Sequence, residues 1–178
     1  SRFVRFIGNY VRNAGPVAMG NIRGRAAGLE DYQSGQHIVA DNVFEGRLSY
    51  GGCVIGASAG AAQIIIRNNL FVNYNASAVQ ISGAGSDRDM PASNATITGN
   101  IFDMTHIGEK SRPRTAIHVA APDVLVSDNQ IYVRSGQNPD VTAIRVTEPA
   151  LNANIHDNLI RNCGAGITTD NPQSKAGK

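Results

Sequence analysis

The sequence predicts an all-β solenoid of about six turns, and three observations carry that prediction. Asparagine recurs at Asn9, Asn42, Asn69, Asn100, Asn129 and Asn158, with gaps of 33, 27, 31, 29 and 29 residues. In all six frames (FIGNYV, VADNVF, IRNNLF, ITGNIF, VSDNQI and IHDNLI) an apolar residue stands three before the Asn and another two after it. The residue just before each Asn is Gly8, Asp41, Asn68, Gly99, Asp128 or Asp157, all turn formers. Self-similarity at a period of about 30 residues marks a stack of equivalent supersecondary units, in which each turn buries its apolar face against its neighbours.

Each turn divides into three elements. The first strand ends just before the Asn; its inward position is Phe6, Val39, Ile66, Ile97, Val126 or Ile155. Alternate residues of a strand share a face, so flanking residues such as Thr96 and Thr98 point out. A bend follows at the Asn. The second strand carries Val11, Phe44, Phe71, Phe102, Ile131 or Ile160 inward. After a variable loop comes a third strand, clearest in AVQIS (78–82), AIHVA (116–120) and AIRVT (143–147), with looser copies in VAMGN (17–21), CVIGA (53–57) and GITTD (166–170). No segment sustains a 3.6-residue apolar period, so no helix is expected.

Three short strands per turn with Asn at one corner resembles the single-stranded right-handed parallel β-helix of the pectate-lyase-like superfamily, over residues 1–171, with 172–178 a polar C-terminal tail. The resemblance implies that the stacked Asn side chains point inward and satisfy backbone groups at a tight bend, a role suited to a residue that tolerates left-handed backbone and bonds local main chain. It also implies that the substrate cleft runs along the outside of the sheet built from the third strands, walled by the loops that enter it. An N-terminal cap of the kind usual in that superfamily is not visible in the sequence. The ends are therefore expected to be covered by another chain or by missing parts of a larger one.

Composition narrows the classes further. The chain has 178 residues, 42% hydrophobic content, 19 Gly, no Trp and a net charge of +2. That balance makes no case for nucleic acid, and no apolar run approaches the roughly 20 residues of a membrane span. The repeat places Cys53 on the third strand of turn two and Cys163 in turn six, roughly 19 Å apart along an axis that rises about 4.8 Å per turn. A disulfide needs Cα atoms within about 7 Å, so both thiols are expected to be free. Asn75-Ala-Ser77 and Asn94-Ala-Thr96 match the glycosylation sequon.

On the third strands Val79, Ile81, Ile117, Val119, Ile144 and Val146 should point in. Gln80, His118 and Arg145 should then point out on three successive turns, continued by Thr168 on the sixth and by Ala18 and Val54 or Ile55 on the early ones. Neighbours in such a row lie about 4.8 Å apart, and proximity to Arg145 should keep His118 neutral and able to accept a proton. The loop Asp103–Thr115 adds His106, Glu109, Lys110, Arg112 and Arg114; the next adds Arg134, Asn138 and Asp140. Arginine forks suit carboxylate and sulfate groups. His118, Arg145 and Lys110 are the catalytic candidates, with Gln80, Arg112, Arg114 and Arg134 binding substrate. A glycosidase needs two facing carboxylates; Glu45, Asp103 and Glu109 are instead read as surface charges. No metal site is assigned: His37 falls inward in turn two and His156 outward in turn six, neither with a ligand partner. Calcium at Asp87 and Asp89 is kept as an alternative.

The expected function is that of an extracellular or cell-surface carbohydrate-active protein, leaning toward a polysaccharide lyase or glycoside hydrolase, with an acidic polysaccharide as partner. The alternative is a non-catalytic rod, such as a phage tailspike shaft, adhesin segment or carbohydrate-binding module. Ile38, Ile65 and Leu125 at the outward position four before the Asn, with Ile7 beside them, fit a lateral partner or the seam of a homotrimer.

Overall fold

The computed structural model describes residues 4–13, 17–20, 34–46, 53–58, 61–73, 77–82, 92–105, 114–134, 136–170 and 175–176. These residues form a parallel β-solenoid with three strands per turn. The first turn holds β1 (Arg5–Ile7), β2 (Tyr10–Arg12) and β3 (Val17–Gly20), and the second β4 (Ser34–Ala40), β5 (Val43–Glu45) and β6 (Cys53–Ser58). The third holds β7 (Ala61–Arg67), β8 (Leu70–Val72) and β9 (Ser77–Ser82). The fourth holds β10 (Ser93–Thr98), β11 (Ile101–Asp103) and β12 (Arg114–Ala120). The fifth holds β13 (Val124–Ser127), β14 (Gln130–Tyr132) and β15 (Asn138–Val146). The sixth holds β16 (Asn154–His156), β17 (Leu159–Arg161) and β18 (Cys163–Thr169). In the stretch expected to be a tail, β19 (Lys175–Ala176) pairs with β16. First strands stack into sheet A, second strands into sheet B and third strands into sheet C, every pairing parallel, with a register shift between β15 and β18 from Asn138 to Thr142. Among the described residues no helix is long and apolar enough to cross a membrane.

The Asn ladder runs through the bend between sheets A and B. The Oδ1 of Asn100 accepts from the backbone N–H and the Nδ2 of Asn69, both at 3.0 Å, and its Nδ2 donates onward to Asn129 Oδ1 at 3.0 Å. The same Nδ2 reaches the carbonyls of Ile66 and Thr98 at 3.0 and 3.1 Å. Asn42, Asn69 and Asn129 repeat this pattern. These four side chains are buried, while Asn9 is exposed and Asn158 half-buried at the ends. The ladder is thus closed over about four turns rather than six. The left-handed backbone does not fall on the ladder Asn itself. It falls on the residue before it: Gly8, Asp41, Asn68, Gly99, Asp128 and Asp157 all have φ between 53 and 72°.

Two more corners use the same device. Gln36, Gln63, Asn94, Asp123 and Asn152, six before the ladder Asn, have positive φ. So do Asn13, Gly46, Asn73 and Asn162, four after it. Left-handed corners therefore recur every five residues and bend the chain around three sides. Short polar side chains and glycine bear this conformation at least cost. At Gly46 (φ 109°) a Cβ would also collide with the Asn13 amide of the turn below.

The interior is layered. Of the twelve apolar residues framing the ladder, all are buried except Phe6, Val11 and Ile160, which are half-buried in the end turns. Phe44, Phe71 and Phe102 stack with ring centroids 5.2 and 4.6 Å apart, an offset-compatible spacing that adds to their area burial.

Candidate functional site

Sheet C presents one outward row, and its register is the expected one where the third strands are most regular. His118 pairs with Gln80 on β9 and with Arg145 on β15. The row continues to Thr168 on one side and to Gly56 and Ala18 on the other. Val79, Ile81, Ile117, Val119, Ile144 and Val146 point in and are 0% exposed. On the second turn the row is neither Val54 nor Ile55, both buried, but Gly56. A Cβ there would meet Cys53 Sγ at 2.8 Å, so the sulfur leans over the glycine beside Gln80.

His118 is the chemically distinctive member. It is half-buried, and its Nε2 shares a hydrogen bond with Thr147 Oγ1 at 3.0 Å. Burial holds its imidazole below the ordinary value, with the Arg145 guanidinium as the second cause and Asp170 opposing. The downward direction is as expected, but desolvation leads and like-charge repulsion follows. Arg145 is exposed and makes no ion pair among the described residues. The strip thus offers an imidazole whose pKa is lowered, a guanidinium without an ion pair among the described residues about 4.8 Å along the stack, and an amide at Gln80.

Two expected binding residues stand elsewhere. Arg114 is not a loop residue reaching into the cleft. It opens β12, is 1% exposed, and its Nη1 donates to the Met104 carbonyl at 2.7 Å. The reason is a change of phase. Strict alternation back from His118 puts Arg114 outside, but Ala116 and Ile117 are both buried, as are Ala143 and Ile144 one turn on. Each doublet shifts the parity, so Arg114 falls in register with buried Val141. The recurring Ala–Ile doublet, echoed by buried Ala78–Val79, was the available sequence signal. Burial lowers the guanidinium's pKa, and Asp140 and Cys163 oppose that shift.

Arg134 lies just past the corner after sheet B. Its guanidinium pairs with Asp103, and its backbone N–H donates to Thr105 Oγ1 at 2.8 Å. Asp103 is 2% exposed rather than a surface charge, and its Oδ1 also accepts from the Thr105 N–H at 3.1 Å. Glu45 is bonded by Tyr10 Oη and faces Arg12 at 3.9 Å. His106, Glu109, Lys110 and Arg112 lie outside the described residues, as do Asp87 and Asp89. Both cysteines are free; burial pushes the Cys163 thiol up to about 11. His37 is buried at 1% and His156 is bonded to Asp157 at 2.8 Å.

On the outside of sheet A, Ile65 and Ile7 are 38% and 48% exposed, with Ile38 and Leu125 half-buried. Ile38, Ile65, Thr96 and Leu125 fall in one registered row. Compared with family models, with curated proteins and with solved structures, the chain matches none.

Proposed function

We propose that this solenoid is an extracellular carbohydrate-active protein of the pectate-lyase-like kind, and that it holds an acidic polysaccharide along the outer row of sheet C. The observation that carries the reading is the pairing of a neutral, half-buried His118 with an exposed Arg145 that lacks an ion-pair partner among the described residues. A polymer lying across the strands would set a uronate carboxylate on Arg145 and hydrogen-bond Gln80. An uncharged imidazole next to that carboxylate suits β-elimination. His118 takes the proton α to the carboxylate, the carbon–carbon double bond forms, and the glycosidic oxygen leaves and takes up a proton. Arg145 stabilises the charge that grows on the carboxylate.

The test is incubation with uronate polymers while following the absorbance of unsaturated uronate product. Wild-type protein should generate product, and His118→Ala should reduce the rate by at least about a hundredfold, the usual contribution of a positioned general base. Unchanged turnover in His118→Ala removes His118 from the chemistry.

The partly exposed row of Ile38, Ile65, Thr96 and Leu125 on sheet A favours a second reading, a non-catalytic rod assembled side by side with copies of itself. Light scattering separates the two: a stable trimer supports the rod, and a monomer with uronate-cleaving activity supports the enzyme.

A further inference from the structure

The outer face of sheet B carries a groove on turns five and six, on a different sheet from the His118 row. Along this face one outward row runs Tyr10, Val43, Leu70, Ile101, Gln130 and Leu159, and the other runs Arg12, Glu45, Val72, Asp103, Tyr132 and Arg161. Over the middle turns the exterior is mainly aliphatic. At β14 and β17 its character changes. There a groove of about 290 Å³ opens, lined by Gln130, Tyr132, Arg134, Leu159, Arg161 and Asn162. Such a volume stands at the small end of the range for ligand pockets, about 300–1,000 Å³, and suits one or two rings rather than a long polymer.

The lining has a definite chemistry. Tyr132 is half-buried and Leu159 is 45% exposed, so an aromatic ring and an aliphatic side chain offer apolar surface to a ligand. Arg134 and Arg161 both line the groove. Arg134 is not loose: buried Asp103 holds its guanidinium, and Thr105 accepts its backbone N–H. Arg161 neighbours Tyr132 in the ladder and makes no ion pair among the described residues. Asn162 is fixed by donating to the Val133 carbonyl at 2.9 Å. The two guanidinium groups outnumber the single carboxylate of Asp103, so the groove carries net positive charge. Apolar surface beside an anchored arginine and one with no ion pair among the described residues matches a ring whose faces are apolar and whose substituent is anionic.

We propose that this groove binds an acidic sugar, with the ring packed on Tyr132 and Leu159 and its carboxylate or sulfate received by Arg161 and Arg134. The site is distinct from the sheet C row, and its occupancy does not depend on catalysis there.

The test is a residue-resolved NMR titration of the full chain with digalacturonate, with neutral galactobiose and with inorganic sulfate. The expected result is saturable movement of the Tyr132, Arg161 and Asn162 amide signals with digalacturonate. Arg161→Gln and Tyr132→Ala should each weaken binding about tenfold or more, the scale of one charge-assisted or stacking contact, while spectra elsewhere stay superimposable. Arg145→Gln should leave this affinity unchanged, which separates the groove from the sheet C row. Galactobiose binding as tightly as digalacturonate would overturn the role of the arginines. Sulfate binding as tightly would reduce the groove to a bare anion site and overturn the sugar. Absence of movement at these three signals, with movement confined to Gln80, His118 and Arg145, would overturn the groove and leave the sheet C reading standing.

Discussion

Removing one interior rung of the Asn ladder should cost far more than removing the terminal one, and the bonds in place set the magnitude. Asn100 is 0% exposed. Cutting it to Ala strips the Asn69 backbone N–H of its acceptor at 3.0 Å and the Ile66 carbonyl of a donor at 3.0 Å. Other losses are softened. The Thr98 carbonyl keeps the Asn68 N–H, and the Asn69 Nδ2 keeps the carbonyls of Val39 and Arg67. Each buried group left unsatisfied costs about 1–3 kcal/mol, so two give a loss of about 2–6 kcal/mol. Asn100→Asp should be at least as damaging, because it puts an oxygen where Nδ2 now faces three acceptors. Asn9 is exposed, and water can replace the bonds from its Nδ2 to Ile7 and Asn42, so Asn9→Ala should cost under about 1 kcal/mol. The assay is urea unfolding followed by circular dichroism, comparing transition midpoints across the three variants. Equal midpoints for Asn100→Ala and Asn9→Ala would refute the account of the ladder as a buried, mutually satisfied network.

Three further outcomes follow from the same structure. The His118 ring should titrate below its ordinary value of 6.5, upward in Arg145→Gln and downward in Asp170→Asn. Because its folded pKa is depressed, the unfolded chain binds the proton first, so His118 should lower stability as pH falls through 6.5 and cease to do so below the folded pKa. A midpoint for His118 above 6.5 by NMR would contradict this. Arg114→Ala should lower stability by about 2–5 kcal/mol through a cavity and a stranded Met104 carbonyl, yet leave polysaccharide affinity unaltered in whatever fraction stays folded; a folded variant with reduced affinity would return Arg114 to the cleft. Cys163, with a thiol at about 11, should react slowly with iodoacetamide at neutral pH, and labelling as fast as a free cysteine peptide would show that the end turn opens.

Much of the scaffold is legible in the sequence because its cause is local. An apolar residue three before and two after each Asn suffices to set the inward faces, and from these the adjacency of Gln80, His118 and Arg145 follows. The limits are equally physical. A strand that keeps its alternation can be phased from one residue, but the Ala116–Ile117 and Ala143–Ile144 doublets break the alternation, and Arg114 goes inside with them. Arg134 reads as a cleft residue because it follows a second strand, whereas a buried carboxylate one turn away fixes it over sheet B. That partner, Asp103, reads as a surface charge because its contact with Arg134 comes from the next turn and leaves no local mark in the sequence. The corner before each ladder Asn is Gly, Asn or Asp in all six turns, whereas the corner four after it shows Asn or Gly in only four, and the corner at Gln36 and Gln63 uses a residue that seldom signals positive φ.

The central claim is that the sheet C row receives a uronate carboxylate beside a neutral imidazole. Its most direct test is the His118 pKa measured by NMR with and without saturating uronate oligomer. A carboxylate seated on Arg145 cancels the guanidinium's effect and adds negative charge, so the account predicts an upward shift on binding, with Gln80 and Arg145 signals moving together. A His118 pKa unmoved at saturating oligomer would contradict it.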